Sequence, residues 1–269
     1  MQILQSGLNL DHFFSFLPRA SMRILFMDYD GTLAPFHTNP AYARPYPEVV
    51  TLLDNIMENL RTRLVIVTGR WIQSLIPLLC MKRLPELWGS HGWEQLKPNG
   101  DYFIDRLNQT TLNALLEANR QLEDLRSLGV RLERKPRATA IHWRGLEPEQ
   151  VIKIRAEIFQ KELQTKKEGI LTWHHFDGGI ELRASGRDKG TVVEQLLSEC
   201  DSNAVIAYLG DDFTDEDAFR ALQGKGLTVL VRPKLRVTNA DLWIQPPHEL
   251  VEFLKRWQEA TSNEHVRFA

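Results

Sequence analysis

Asp28 and Asp30 stand at the end of an apolar run, Ile24-Leu25-Phe26-Met27, and are followed by Gly31-Thr32-Leu33. The run reads as a buried strand, and residues two apart on a strand point to one face, so both carboxylates can converge on one point. Gly31 lets the backbone turn sharply away. The carboxyl ends of strands are where open α/β sheets bind ligands. A carboxylate pair there suits a Mg²⁺ ion, or a nucleophile beside an acid/base partner. A solvated Asp-x-Asp-Gly turn is the plainer reading of the same residues.

Other runs supply matching groups. Leu64-Val65-Ile66-Val67 is a second apolar strand, ending in Thr68-Gly69-Arg70. The threonine can donate to a phosphate oxygen and the guanidinium can clamp an anion. Ala204-Val205-Ile206-Ala207-Tyr208-Leu209 is a third strand and ends in Gly210-Asp211-Asp212. Upstream of it, Arg187-Asp188-Lys189-Gly190 opens a helix, and a lysine there can neutralise an aspartate–phosphate pair. The run from Asp211 to Asp217 is not a calcium loop, because the EF-hand spacing and central glycine are absent. Glu216 and Asp217 read simply as acidic residues favoured at a helix start.

The order DYDGTL, TGR, DKG, GDDFTDED resembles the haloacid dehalogenase-type phosphohydrolases. Within them the chain most resembles the trehalose-6-phosphate phosphatase family. That narrower likeness rests on Gly89-Ser90-His91-Gly92-Trp93-Glu94, on Glu133-Arg134-Lys135 with Ile141-His142-Trp143-Arg144, and on Gly179-Ile180-Glu181-Leu182-Arg183. It implies Asp28 as nucleophile and Asp30 as acid and base, with Thr68 and Lys189 completing the catalytic set. It implies Mg²⁺ held by Asp28, the main-chain carbonyl of Asp30 and Asp211, with Asp212 and Asp215 in the outer shell. Substrate contacts fall to Gly69, Arg70, His91, Glu133, Lys135, Arg144 and Glu181. Glu133 and Lys135, two apart on an expected strand, share a face; a solvated edge-strand charge pattern is the plainer reading. Two positions depart from the family: Asp188 replaces the common asparagine before the lysine, and Ala184 replaces a common proline.

The elements must position these groups. Apolar strands alternate with helical stretches at Pro47–Leu60, Gln73–Cys80, Thr191–Glu199 and Asp215–Leu222, which argues for a parallel sheet covered on both faces. The middle differs. Thr110–Leu128 and Pro148–Gln164 read as helices, Val130–Arg134 and Ala138–Trp143 as paired strands, and Ile170–His175 with Gly179–Ala184 as a hairpin about Asp177-Gly178. The expected fold is a Rossmann-like doubly wound parallel sheet core, residues 1–104 and 185–269, with an inserted α+β cap domain, residues 105–184. Such a layer over a strand edge can exclude water and choose the substrate.

Composition narrows the partners. The 269 residues are 43% hydrophobic and 25% charged, with a net charge of −2, so no nucleic-acid partner is indicated. No apolar run reaches the roughly 20 residues that span a bilayer, so no membrane role is expected. The first twenty residues lack a signal-peptide pattern, and Leu10–Leu17 reads as a short helix packed on the body. Two cysteines, Cys80 and Cys200, make neither a disulfide framework nor a zinc pattern, which fits the cytoplasm. The expected partner is a small phosphorylated sugar, with functional coupling to a glycosyltransferase (a synthase). Phosphatases of glucosylglycerol phosphate, glucosylglycerate phosphate or sucrose phosphate are the nearest rivals. A phosphomutase and a non-catalytic regulatory module stand further off.

Overall fold

The computed structural model describes residues 1–37, 39–58, 61–165 and 169–262. The chain forms two compact units, residues 1–104 with 188–269, and residues 105–187. In chain order the first unit begins with β1 (Gln2–Ile3), α1 (Leu10–Phe16), β2 (Arg23–Met27), α2 (Pro47–Glu58), β3 (Thr62–Val67), α3 (Ile72–Leu79), β4 (Glu86–Gly89), β5 (Glu94–Leu96) and β6 (Tyr102–Ile104). The second unit holds α4 (Gln109–Leu122), β7 (Arg131–Lys135), β8 (Ala138–His142), α5 (Pro148–Thr165), β9 (Leu171–Phe176) and β10 (Gly179–Ala184). The chain then returns to the first unit with α6 (Lys189–Leu197), β11 (Val205–Gly210), α7 (Glu216–Leu222), β12 (Leu227–Val231), β13 (Leu242–Ile244) and α8 (His248–Ser262).

The large sheet runs β1-β13-β12-β11-β2-β3-β4-β5-β6. Its six central strands, β13 to β4, are parallel, while β1 pairs antiparallel at one edge and the β4–β5 and β5–β6 pairs are antiparallel at the other. The sheet is therefore mixed, because Gly89 to Gly92 turns the chain back on itself instead of feeding another crossover helix. Strand alternation divides the core into two layers. Leu25, Met27, Leu64 and Ile66 pack on one side with Val49, Leu53, Leu75, Phe253 and Trp257 of the helices. Ile24, Phe26, Val65 and Val67 pack on the other with Val192, Val193, Leu196, Ala218, Phe219 and Leu222. Strands buried on both faces have to be continuously apolar, as these are. Helix α1 joins the first layer: Phe14 is buried edge-on against Phe253 at 5.3 Å, and Asn9 caps the helix by accepting from His12 N.

The second unit is one antiparallel sheet, β7-β8-β10-β9, with helices on one face. Leu132, Ile141, Ile180 and Leu182 meet Ala118, Leu122, Ile154 and Ile158 there. The expected helix over 110–128 is α-helical only to Leu122 and ends in a tighter 3-10 stretch, Glu123–Leu128, closed by Gly129 at φ 87°. The last two residues of the expected helix 47–60 lie outside the described residues. Residues 185–187 belong to this unit rather than the first, since Ser185 N donates to Ile170 O at 2.9 Å and Arg187 pairs with Asp105 at 2.7 Å.

Phe219 is fully buried between α7 and the sheet, with its ring 5.8 Å from that of Tyr208. Phe219→Ala should cost about 3–5 kcal/mol through lost burial and a residual cavity. Denaturant unfolding of the two proteins measures it; a loss under about 1 kcal/mol would mean that this layer repacks freely.

Candidate active site

The parallel strands β2, β3, β4 and β11 all end at the same edge, and their following residues gather there. Asp28 N donates to Leu209 O at 2.8 Å, which ties the end of β2 to β11. Gly31 has a φ of 84°, and a Cβ on it would stand 2.1 Å from Asp211 Oδ2. Only glycine can both make this turn and let the carboxylate lie on the backbone. Asp188, where the family commonly has asparagine, caps α6 in a reciprocal capping box with Thr191. Asparagine and aspartate cap helices about equally well, so this departure preserves the placement of Lys189.

At the centre, Lys189 Nζ donates to Asp28 Oδ1 at 2.7 Å and to Asp215 Oδ1 at 2.8 Å, all three being buried. Asp215 also accepts from Tyr208 OH at 2.7 Å and from the main-chain N–H groups of Asp211 and Asp212. Its two oxygens are thus fully engaged by the protein. Asp211 is the opposite case: it is buried, and neither carboxylate oxygen has a hydrogen-bond partner among the described residues. Arg232 Nη1 stands 4.0 Å from its Oδ2. One ligand atom from each of Asp28, Asp211 and Asp215 lies within 4.8 Å of the others. Three carboxylates around one ammonium leave an excess of two negative charges, and hard oxygen donors suit a divalent ion such as Mg²⁺. The residues present therefore fit a divalent cation, with the unsatisfied Asp211 carboxylate as the strongest sign.

The charges respond to this crowding. Burial, with Asp215 and Asp30 nearby, raises Asp28 from 3.8 to about 7 against the pull of Lys189. Asp211 is pushed well above the usual carboxylate range by burial, then by the charges of Asp28, Asp212 and Asp215. Lys189 is held charged, since its two carboxylate partners outweigh its burial.

The remaining first-unit candidates sit nearby with different partners. Asp30 is half-buried and receives both prongs of Arg70, Nε to Oδ2 and Nη2 to Oδ1, each at 2.6 Å. Arg70, expected to clamp an anion, is here engaged with the carboxylate beside it. Thr68 is buried and its Oγ1 accepts from Arg70 N at 3.1 Å. Asp212 Oδ1 accepts from Phe213 N, so this side chain caps the short turn after β11; it is not one of the three clustered carboxylates, though its charge is felt by Asp211. His91 is buried above Gly69, where a Cβ would lie 2.6 Å from its Nε2.

In the second unit, Glu133, Lys135 and Glu181 share the helix-free face of the sheet, where Ala140 pairs with both Glu133 and Glu181. Lys135 Nζ donates to Glu181 Oε1 at 2.8 Å, and Arg183 Nε lies 3.4 Å from Glu181 Oε2. His142 Nε2 lies 2.8 Å from Glu133 Oε2. That hydrogen bond, with Lys135 and Arg131 nearby, holds Glu133 down to about 2. Arg144 lies at the end of β8 instead, donating from Nη2 to Asp177 O at 2.5 Å on the β9–β10 turn. His142, Arg183 and Tyr208 were not among the expected site residues. The spacing Glu181-x-Arg183 and a lone hydroxyl in the strand before Asp211 were the available signals.

The trehalose-phosphatase family model matches residues 26–241. The chain belongs to the trehalose-phosphatase family. A trehalose-phosphate phosphatase of Mycobacterium marinum is 31% identical over 244 residues, covering 86% of this chain and 60% of that protein. The chain thus spans about three fifths of that relative's length. Its fold is similar to the C-terminal domain of C. albicans trehalose-6-phosphate phosphatase, with a TM-score of 0.79, 21% identity, and coverage of 96% of this chain and 99% of that one. It is also similar to a haloacid dehalogenase-like hydrolase from Bacteroides thetaiotaomicron, with a TM-score of 0.59, 16% identity, and coverage of 88% and 99%. Family members share the core fold built here, and no helix among the described residues is long and apolar enough to cross a membrane.

A pH dependence follows from Asp28. Its unfolded value near 3.8 lies below its folded value of about 7. The unfolded chain therefore ionises first, and the metal-free folded state loses stability as pH rises through that window. Melting temperatures of metal-free protein should fall between pH ~4 and ~7, and added Mg²⁺ should raise them more at pH 8 than at pH 5. An equal Mg²⁺ shift at both pH values would place the cation away from these carboxylates.

Proposed function

We propose that the chain hydrolyses trehalose 6-phosphate to trehalose and phosphate through a phosphoaspartyl intermediate on Asp28, with Mg²⁺ as cofactor. The observation that carries this reading is the buried Asp28–Lys189–Asp215 array beside the unsatisfied carboxylate of Asp211. Family membership and the printed name of the mycobacterial relative support the substrate. Two free cysteines agree with a reaction in the cytoplasm, and a glycosyltransferase that makes the sugar phosphate would supply the substrate.

The chemistry is a double displacement. A carboxylate oxygen of Asp28 attacks phosphorus, and the bond from phosphorus to the sugar oxygen breaks. Asp30 gives its proton to that leaving oxygen. Water then attacks phosphorus, Asp30 takes a proton from it, and the bond from phosphorus to the Asp28 oxygen breaks, which restores the Asp28 carboxylate and frees inorganic phosphate. Lys189 neutralises Asp28 and orients it through the hydrogen bond at Oδ1. Thr68 supplies a hydroxyl for a phosphate oxygen. On protonation Asp30 loses the charge that holds Arg70, and the freed guanidinium N–H groups can turn to the phosphate. Asp28, Asp211 and the carbonyl of Asp30 would hold Mg²⁺, which when bound offsets the charge repulsion between a carboxylate and a phosphate dianion.

Glu133, Lys135, Glu181, His142 and Arg183 form a polar face that suits a ligand rich in hydroxyls. Buried charged groups left unmatched reject a wrong ligand, so this face is where trehalose would be told from another glycoside.

Three measurements test the reading. Asp28→Asn should lower kcat by more than about a hundredfold while leaving the fold intact, since an amide is a poor nucleophile. Retention of a tenth or more of kcat would remove Asp28 from the role. Asp211→Ala should weaken Mg²⁺ activation for every phosphate ester, including a small generic one. Glu133→Ala or Glu181→Ala should lower kcat/KM for trehalose 6-phosphate by about ten- to a hundredfold, the worth of a charged hydrogen bond. The generic ester should change little. Equal losses on both substrates would leave the phosphatase but withdraw the trehalose assignment.

A further inference from the structure

Ser90 and His91 follow β4 with φ values of 50° and 57°. Residues with a Cβ avoid this left-handed region, and two in succession need something to hold them there. Their backbones grip the loop after β3 on either side of Gly69. Ser90 N donates to Arg70 O at 2.8 Å, and His91 N donates to Thr68 O at 2.9 Å. The imidazole lies directly on Gly69, in the space a Cβ would fill.

Glu94, the first residue of β5, is completely buried. Its Oε1 accepts from the Ser90 hydroxyl. Its Oε2 accepts from Ile72 N at 3.3 Å and from Tyr102 OH at 3.1 Å. One carboxylate therefore joins the strained turn, the first residue of α3 and the edge strand β6. No step of the proposed reaction uses it.

We propose that Glu94 is a positioning residue that holds Ser90 in the left-handed turn and so sets His91 over the Thr68–Arg70 loop. The kinetic part of this proposal rests on the phosphatase reading above; the structural part does not. A carboxylate that only satisfies buried donors would lower global stability when removed. A latch on the turn would in addition release the Ser90 and His91 amides and disturb substrate binding. Its loss would then be made good by glycine at position 90, where the left-handed conformation carries no steric cost.

The test compares Glu94→Leu, Glu94→Gln and the double variant Glu94→Leu/Ser90→Gly with the unaltered protein. Hydrogen exchange of amides 90 and 91, melting temperature, and kcat and KM for trehalose 6-phosphate are measured for each. Glu94→Leu should speed exchange at both amides by about tenfold or more relative to the β2 and β3 amides. It should raise KM by about tenfold with kcat within about threefold. Glu94→Gln, which keeps an acceptor, should lose less. The double variant should recover most of the exchange protection and of KM. A lower melting temperature with local exchange and KM unchanged would overturn the proposal, as would failure of glycine to restore them. If Glu94→Leu does not fold, Ser90→Ala removes the hydroxyl alone and should speed the same two amides; unchanged exchange there overturns it equally. If the unaltered protein does not turn over trehalose 6-phosphate, the phosphatase reading fails and the exchange data alone decide the latch.

Discussion

The buried ammonium of Lys189 is the contact on which the site depends. It bridges two carboxylates, Asp28 and Asp215, that arrive from opposite ends of the sequence and would otherwise repel each other in a dry setting. Breaking a buried pair of this kind leaves an uncompensated charge, so each partner constrains the others. The lysine is aimed by the cap of α6, Asp28 by β2, and Asp215 by its hydrogen bonds to Tyr208 and the turn after β11. The double-layered core exists, in this sense, to bring two strand ends and one helix start to within a few ångströms.

The negative charge remains in excess even with Lys189 in place. Burial raises Asp28 and Asp211 where a surface carboxylate would simply ionise, and among the described residues no donor hydrogen-bonds the Asp211 carboxylate. A fold normally avoids such a group. The cost is understandable where a divalent cation supplies the missing charge and coordination. The same logic separates Asp215 from Asp211, although both belong to one acidic run: the first accepts from Lys189, Tyr208 and two main-chain N–H groups, while the second accepts no hydrogen bond among the described residues.

The second unit handles charge differently. Lys135, Glu181, Arg183, Glu133 and His142 satisfy one another across a sheet whose central positions are the small residues Ala138, Ala140 and Gly179. The small residues Ala138 and Ala140 let the longer charged side chains of the flanking strands close over them, the Phe176 ring lies on Gly179, and the paired charges keep the polar groups oriented.

The doubly wound core is legible in the residues alone, because continuously apolar strands alternating with short amphipathic helices admit few other packings. The sequence also marked Asp28, Lys189 and Asp211, since a charged residue ending an apolar strand or starting a helix has a predictable place on the sheet. Tertiary structure decided what those charges touch. Arg70 faces an anion in the sequence but holds Asp30 in the structure; Asp212 and Asp215 are near neighbours in the chain but turn to different partners. The edge strands β5 and β6 depend on pairings that their short sequences do not mark, and Glu94, though part of a recognisable motif, meets Ile72 and Tyr102 only once the chain has folded. Tyr208, His142 and Arg183 stand in strands the sequence marks, but which carboxylate each one meets depends on the packing. Hydrophobic periodicity is a local property and can be read along the chain, whereas the partner of a polar atom is fixed only when distant segments pack.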